Sequence, residues 1–239
     1  MRLDVQISQK YPQITRTHAK NLIELGYVSV NGKISNKPSQ CVTDNDEITV
    51  VEDYSASLGS IKLQKAIEEF NPIINGKVCL DLGAANGGFT EVLLKNGAQK
   101  VIALDVGECA LPESLKNHPK VIVKDRTNAR FIEKKMFDEN VDLITGDLSF
   151  ISLKLILPVA YAVLEKGGYG IFLIKPQFES ERKNISKSGV IKDRKIHKKV
   201  VEDIKSFAEM LGFCCMGITE APHPFANKNL EFLIYLCKL

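Results

Sequence analysis

The sequence predicts an α/β protein with a mostly parallel sheet of seven strands and helices on both faces, preceded by a small α+β module. From residue 76 onward, short apolar runs alternate with helical patterns, which is typical of a parallel sheet. A glycine-rich turn at residues 81–90 joins a strand to a helix. Residues 53–60 are small and polar, as in a linker. We therefore expect a module over residues 1–52 and a larger domain over residues 61–239.

The amino-terminal module is predicted to hold two short helices and a hairpin. Asn31-Gly32 is a strong signal for the hairpin turn, and Thr15 can cap the second helix. Up to residue 42, six Lys or Arg side chains stand against two acids. This balance fits an RNA partner, although on charge alone a solvated face is the simpler interpretation. The predicted helices cover 4–11 and 15–25, and the strands cover 27–30 and 47–51.

The larger domain is predicted from apolar runs of strand length that alternate with amphipathic segments. Several of these runs end in a charged residue, and strand ends in such a sheet open onto one crevice. The predicted strands are 78–82, 101–105, 121–124, 141–147, 169–175, 213–219 and 231–236, and the predicted helices are 61–70, 89–96, 109–115, 129–137, 153–164 and 197–211.

The glycine turn has the features of a cofactor site. Its glycines fall at Gly83, Gly87 and Gly88, which is not the G-x-G-x-x-G spacing of a dinucleotide fingerprint. The turn can direct backbone N–H groups into the crevice. Asp81 would repel a pyrophosphate but could accept hydrogen bonds from the ammonium of a ligand such as S-adenosylmethionine. Asp105, at the end of the next strand, is placed to bind ribose hydroxyls. The alternatives are a turn without a ligand and an aspartate that caps the next element.

Two further strand ends carry Asp147 and Lys175, which we expect to be neighbours at the same crevice. A lysine at the end of a buried run is costly unless it is paired or functional, although it could also extend to the solvent. Glu231, at the start of the last strand, and Lys62, on the first helix of the domain, are unexceptional by themselves.

Together, Lys62, Asp147, Lys175 and Glu231 resemble the K-D-K-E tetrad of FtsJ-type ribose 2′-O-methyltransferases. Across its whole length, the chain resembles the haemolysin-A-like (TlyA) rRNA methyltransferase family, in which a Rossmann-like class I methyltransferase domain follows an RNA-binding domain similar to that of the fourth small-subunit ribosomal protein. The most specific segments are residues 104–107, 126–128, 147–153 and 175–179.

This resemblance implies S-adenosyl-L-methionine as the cofactor and a ribose 2′-hydroxyl of ribosomal RNA, on a cytidine, as the methyl acceptor. It also implies that Asp125 lies near the adenine. The resulting candidates for cofactor binding are Asp81, Gly83, Ala84, Gly87, Gly88, Phe89, Asp105, Val106, Asp125 and Asp147. The candidates for RNA binding are Arg2, Arg16, Lys20, Asn31, Lys33, Arg182, Lys183 and Lys187.

The candidate catalytic residues leave two mechanisms open. The ammonium of Lys175 could stabilise the developing oxyanion on the ribose oxygen. Lys175 could instead act as a base if burial and a cationic neighbour favoured its neutral form. Asp147 and Glu231 would orient the lysines, and Lys62 would position the ribose. Neither mechanism requires a metal.

The segment that follows the fifth strand of the larger domain is strongly basic. Residues 182–199 hold eight Lys or Arg side chains and one acid. This segment would rim the crevice, where it could contact RNA phosphates, or it could be a solvated loop.

Composition and pattern disfavour several other classes. The net charge of +3 is small, and the sequence shows no signal peptide, no membrane span and no C-x-x-C pair. We therefore expect a cytoplasmic monomer with reduced cysteines and no membrane requirement. A base-amino methyltransferase is disfavoured because Leu148 and Ser149 stand where its two prolines would be. A nicotinamide oxidoreductase is disfavoured by the glycine spacing, whereas a non-catalytic RNA-binding or haemolysin-like protein stays an alternative.

Overall fold

The computed structural model describes residues 1–12, 14–24, 26–50, 58–186, 189–222 and 229–239. The chain forms two compact units that divide next to residue 58. Within the described residues, no helix combines the length and the apolar character needed to cross a membrane.

The amino-terminal unit packs two helices on a small antiparallel sheet. Helices α1 (Leu3–Lys10) and α2 (Arg16–Glu24) are followed by strands β1 (Val28–Val30), β2 (Lys33–Ile34) and β3 (Ile48–Val50), in the sheet order β2-β1-β3. Asn31 and Gly32 both have positive φ, as the predicted hairpin turn requires. The backbone N–H of His18 donates to Thr15 Oγ1 at 3.2 Å, which confirms the predicted cap.

Among the described residues, the second unit contains a sheet of seven strands in the order β6-β5-β4-β7-β8-β10-β9. In this sheet β10 runs antiparallel to its neighbours β8 and β9 and the other pairs are parallel, so the predicted mostly parallel sheet is confirmed. The strands are β4 (Val78–Leu82), β5 (Lys100–Leu104), β6 (Val121–Lys124), β7 (Val141–Gly146), β8 (Leu164–Ile174), β9 (Phe213–Glu220) and β10 (Phe232–Lys238). The helices are α3 (Leu58–Phe70), α4 (Gly88–Lys95), α5 (Glu113–Lys116), α6 (Leu157–Val163), α7 (Pro176–Glu179) and α8 (Arg194–Met210).

The register of the sheet brings the predicted strand ends together. Leu82 is level with Leu104 of β5 and with Gly146 of β7, and Gly146 is level with Phe172 of β8. Ile174 pairs with Phe232 of β10. The residues that follow these strands therefore emerge along one edge of the sheet.

Several predicted helices differ in the structure. The helix predicted over 109–115 begins only at Glu113, because Pro112 cannot lie inside a helix. The segment 129–137 forms two 3₁₀ turns, Ala129–Phe131 and Lys134–Met136. Its backbone is extended between these turns, and both Ile132 and Phe137 are buried in one core. A continuous helix would set these two side chains about 140° apart.

The helix predicted over 153–164 divides into a 3₁₀ turn, Leu153–Leu155, and the shorter helix α6. Further differences are shifts of element ends. Helix α3 begins at Leu58, so residues 58–60, predicted as linker, are helical. Strand β8 begins at Leu164 and helix α8 at Arg194, each several residues before the predicted start. Asp193 caps α8 by accepting from the backbone N–H of Lys195 at 2.8 Å.

Candidate active site

A cavity of about 580 Å³ opens at the edge where the parallel strands end. It is bounded by the glycine turn after β4 and by the loops that follow β5, β6 and β7. Of the predicted cofactor residues, Gly83, Asp105, Val106 and Asp147 line it.

The glycine turn holds its conformation with its own backbone donors. The N–H groups of Gly83 and Ala84 both donate to the carbonyl of Leu104, at 2.8 and 3.1 Å, and that of Gly87 donates to Ala84 at 2.7 Å. Gly83 has a φ of +79°, and a Cβ there would lie 3.0 Å from the backbone oxygen of Asp147. Most of the backbone N–H groups that were expected to be free for a ligand are thus hydrogen-bonded within the protein. Gly83 instead allows the glycine turn and the loop after β7 to approach each other closely.

Asp81 lies beneath the turn and does not face the cavity. Its side chain is buried, and it accepts hydrogen bonds from the hydroxyls of Thr90, at 2.7 Å, and Thr145, at 3.1 Å. Burial raises the pKa of this carboxyl to about 6, although the two hydroxyls oppose the increase. The structure therefore does not support the predicted direct contact with a ligand ammonium. Asp81 instead ties β4 to α4 and β7.

Asp105 is partly exposed and lines the cavity. Its carboxylate accepts from the backbone N–H groups of Ala85, at 3.0 Å, and Gly107, at 2.9 Å, which fixes it against the glycine turn. Asp125 does not line the cavity; it accepts from the backbone N–H of Cys109 at 2.5 Å, and this hydrogen bond lowers its pKa.

The remaining predicted cofactor residues form the support of the turn. The side chain of Phe89 is buried in the core between the sheet and α3 and α4, away from the cavity. Ala84 packs in a separate small core, and a Cβ on Gly87 would overlap Leu111 of that core. Gly88 is the buried first residue of α4. Sequence spacing could not separate these supporting positions from lining positions, because both belong to the same turn.

The structure brings the four candidate catalytic side chains together in one chain of ion pairs. Lys175 Nζ lies 2.6 Å from Asp147 Oδ1, and Lys62 Nζ lies 3.5 Å from Asp147 Oδ2. Lys62 also donates to Glu231 Oε2 at 2.7 Å. Each side chain is less than one-fifth exposed, with Lys175 the most buried at 9%.

Electrostatic pairing outweighs burial in this cluster. Burial by itself would lower the pKa of Lys62, but Asp147 and Glu231 raise it above its ordinary value. Burial likewise would raise the pKa of Asp147, yet Lys62 and Lys175 hold it below its usual range. Lys62 is therefore a fixed cation that holds two carboxylates in place.

Sequence reasoning missed two residues that organise the loop after β7. Ser149 accepts a hydrogen bond from Lys175 Nζ at 2.8 Å. Glu179 accepts from the hydroxyl of Ser152, at 2.5 Å, and from the backbone N–H of Leu153, at 2.7 Å. Both residues fall in segments that carry the family resemblance, 147–153 and 175–179, which was the available signal.

An aromatic side chain projects from the same loop. Phe150 is 90% exposed, lines the cavity and has a φ of +64°, which is uncommon for a bulky residue. Its ring lies 5.0 Å from that of Phe178, and the Phe178 ring lies 5.9 Å from Lys175 Nζ. The exposed ring therefore stands next to the ion-pair chain.

The predicted RNA-binding residues of the amino-terminal unit are organised around Asp4. This buried carboxylate accepts from Arg2 Nε at 2.9 Å and from Arg16 Nε at 3.0 Å, and the hydrogen bond from Arg2 lowers its pKa to about 2. Both arginines keep about half or more of their side-chain surface exposed. Lys20 lies 3.8 Å from Glu24 on the same helix.

Of the remaining RNA candidates, one supports the hairpin and two are exposed. The side chain of Asn31 bridges Asp46 and the backbone of Glu47, at 2.7 and 2.9 Å, and so supports the hairpin. Lys33 and Arg182 are exposed. Lys187 and the side chain of Lys183 lie outside the described residues.

The cavity fits the adenosine part of S-adenosylmethionine. Its volume is in the range of small-molecule sites, and apolar side chains such as Leu148 and Ile156 line it beside the carboxylate of Asp105. The absence of a side chain at Gly83 lets the loop of Asp147 lie close against the turn at the wall of this cavity. In the part of the chain that the structure describes, no three His, Cys, Asp or Glu side chains group as a metal site.

Known proteins share both units. The sequence model of the FtsJ-like methyltransferases matches residues 56–238, and that of the S4 domain matches residues 1–48. The 16S/23S rRNA (cytidine-2′-O)-methyltransferase TlyA of Mycobacterium tuberculosis is 37% identical over 98% of this chain and 89% of its own length. Hemolysin A of Brachyspira hyodysenteriae is 38% identical over 98% of this chain and 99% of its own.

A solved structure agrees with these sequence relatives. A Streptococcus thermophilus protein that carries the hemolysin name matches with a TM-score of 0.77 and 36% identity, over all of this chain and 88% of that one. S-adenosylmethionine is the cofactor of the FtsJ-like family and of other methyltransferases with this fold. The chain therefore belongs to the FtsJ-like, S-adenosylmethionine-dependent methyltransferases and carries an S4 domain at its amino-terminal end.

Proposed function

We propose that this enzyme methylates a ribose 2′-hydroxyl of ribosomal RNA, on a cytidine. The observation that carries the proposal is the buried contact of Lys175 with Asp147 and Ser149, two residues that line the cofactor cavity. The relatives named as rRNA (cytidine-2′-O)-methyltransferases support the choice of RNA and nucleoside. Such a substrate would also place the enzyme in the cytoplasm.

The ion-pair chain accounts for the chemistry at the ribose oxygen. Bound in the cavity, the cofactor supplies an electrophilic methyl group on a sulfonium. An ammonium has three N–H donors; Lys175 donates one to Ser149 and forms an ion pair with Asp147 at 2.6 Å. Another N–H can donate to the ribose oxygen and stabilise the negative charge that develops as it attacks. This arrangement favours the electrostatic role for Lys175 over the role of a base, and the proton that the hydroxyl loses as the methyl group moves from sulfur to oxygen would pass to solvent.

Lys62, Asp147 and Glu231 position that ammonium. Lys62 bridges the two carboxylates from α3, so Asp147 is held from one side by Lys62 and from the other by Lys175. Alignment of the attacking oxygen is the main requirement of such a transfer. Glu179 adds to it by fixing the loop of Ser152.

The amino-terminal unit and the exposed aromatic ring account for RNA binding. Arg2 and Arg16 are held in place by Asp4 while their guanidinium groups stay accessible, which suits contacts with phosphates. Phe150 offers a face on which a base can stack. In this proposal the S4 domain provides affinity and the second unit carries out the reaction.

The proposal is tested by incubating the enzyme with methyl-labelled cofactor and with purified rRNA, each ribosomal subunit or assembled ribosomes. We expect labelled cytidine whose 3′ phosphodiester bond resists alkali, because a 2′-O-methyl group removes the hydroxyl that attacks it. Label on a base, or no transfer to any of these substrates, would contradict the proposal. A parallel assay of erythrocyte lysis tests the activity that the name hemolysin denotes.

A further inference from the structure

A second cavity of about 550 Å³ lies between the beginning of α8 and the strands β9 and β10. We call it the α8 cavity. It is distinct from the cofactor cavity, because the two share no lining residue. Its polar and aromatic lining consists mainly of Arg194, His197, Lys198, Glu202, Glu220 and Phe232.

The α8 cavity lies next to the ion-pair chain, across strand β10. Phe232, which lines the cavity, follows Glu231 directly and pairs with Ile174, the residue before Lys175. Because side chains alternate along a strand, Phe232 and Glu231 point to opposite faces of the sheet. The packing agrees, since Phe232 contacts the core of the α8 face whereas Glu231 meets Lys62 of α3.

His197 is a buried polar side chain that lines this cavity without a partner. It is 4% exposed, and neither ring nitrogen forms a hydrogen bond within the described residues. Buried polar groups in proteins are nearly always hydrogen-bonded, so an orphan histidine indicates a missing partner. Its ring lies 6.0 Å from that of Phe232, so an aromatic surface adjoins the free nitrogens.

The charged side chains at the mouth of the cavity suit a ligand that carries both an anionic group and hydrogen-bond donors. Arg194 and Lys198 are exposed, and neither forms an ion pair in the described part of the chain. They lie at the start of α8, a 17-residue helix whose N-terminal end carries partial positive charge. The carboxylates of Glu202 and Glu220 can accept hydrogen bonds from amino or hydroxyl groups.

We propose that the α8 cavity binds a nucleotide of the substrate RNA that neighbours the modified one. Its base would lie against Phe232 with an edge at His197, and its phosphate would meet Arg194 and Lys198. A strand of RNA that places one ribose at Lys175 can reach the α8 cavity across β10, because Phe232 lines that cavity and pairs with Ile174, the residue before Lys175. The inference rests on RNA being the substrate, as proposed above.

The direct test observes the His197 ring in the full-length protein. The chain has four histidines, so the ¹⁵N spectrum of their rings is simple, and loss of one signal in His197→Phe assigns it. The protein is saturated with S-adenosylhomocysteine to fill the cofactor cavity and is then titrated with cytidine or adenosine 5′-monophosphate, or with inorganic phosphate. We expect a saturable shift of the His197 signal with a nucleotide and none with phosphate.

Two outcomes of the titration would overturn the inference. A His197 signal that does not respond to either nucleotide would show that the α8 cavity does not bind one. An equal response to inorganic phosphate would show an anion site without recognition of a base.

Kinetics of the variants give a second measurement. We expect His197→Phe, which keeps an aromatic ring but removes both nitrogens, to raise KM for rRNA about tenfold. The rate constant kcat and the affinity for S-adenosylmethionine should stay unchanged. The matched control is His118→Phe, at a partly exposed ring outside both cavities, which should change none of these values.

The titration and the kinetics separate failure of this inference from failure of the proposed function. A normal KM in His197→Phe, together with a silent titration, would refute the nucleotide site while leaving methylation intact. Absence of methylation in the wild-type protein would refute the proposed function, and the titration would still decide whether the cavity takes a nucleotide.

Discussion

Replacing Lys175 by alanine is the sharpest test of the proposed chemistry. The substitution removes an ammonium that lies 2.6 Å from Asp147 and 2.8 Å from Ser149, with only 9% of the side chain exposed. Removing one preorganised donor to an oxyanion typically lowers a rate by about a hundred- to a thousand-fold. That decrease corresponds to about 3–4 kcal/mol in the activation free energy.

The fold should survive this substitution. Lys62 remains 3.5 Å from Asp147, so the carboxylate keeps one buried cationic partner. Lys175→Arg should not restore the rate, because a planar guanidinium cannot reproduce the position of a compact ammonium. The matched control is Lys166→Ala, an exposed lysine near the opposite end of the same strand, which should retain full activity.

The assay is single-turnover transfer of labelled methyl to rRNA, with both substrates saturating. Cofactor affinity is measured by calorimetry and folding by thermal denaturation. We expect near-normal values for both in Lys175→Ala, so that the loss appears in the chemical step alone. A folded Lys175→Ala enzyme that transfers methyl within about threefold of the wild-type rate would refute the electrostatic role of this lysine.

Three further predictions follow from the geometry. Gly83→Ala should weaken cofactor binding at least about tenfold in calorimetry, because the new Cβ would lie 3.0 Å from the backbone oxygen of Asp147. The control is Gly167→Ala, which should not weaken binding, because Gly167 has a similar φ but open space around its Cβ position. Glu179→Ala should lower kcat about tenfold with unchanged cofactor affinity, since it frees the loop after β7; an unchanged kcat would exclude that role. The pKa of Asp4 is lowered to about 2, so the stability that it contributes is complete above about pH 4 and is lost as the pH falls towards 2. In thermal denaturation, the difference in Tm between the wild-type protein and Asp4→Asn should therefore become smaller as the pH falls from about 4 towards 2. A difference in Tm that stays constant over this range would contradict the proposed role of Asp4.

The architecture could be predicted because it depends on local patterns. Apolar runs of strand length and the glycine turn specified the parallel sheet, and Asn31-Gly32 specified the hairpin. The local patterns do not indicate which strand of the mostly parallel sheet runs antiparallel, and the structure shows that it is β10. Helix ends were predicted less well where a single residue decides them, as Pro112 does for α5.

The site could be predicted in part, because a strand end fixes where a residue emerges but not which way its side chain points. Asp147 and Lys175 meet as expected from neighbouring strand ends. Asp81 lies at the same edge, but its carboxylate accepts hydrogen bonds from Thr90 and Thr145 beneath the turn and so does not face the cavity. Such a difference depends on tertiary contacts between residues up to 64 positions apart.

The position of β10 in the sheet affects how the enzyme folds during its synthesis. This strand lies between β8 and β9, although it follows both in the chain, and Glu231 reaches Lys62 across 169 positions. A nascent polypeptide can form β4 to β8 and bury much of its core before residue 238 has been synthesised. The cluster around Lys62 is then still missing one of its two carboxylates. In the proposed mechanism, methyl transfer therefore has to await the synthesis and insertion of β10, which completes the cluster around Lys62.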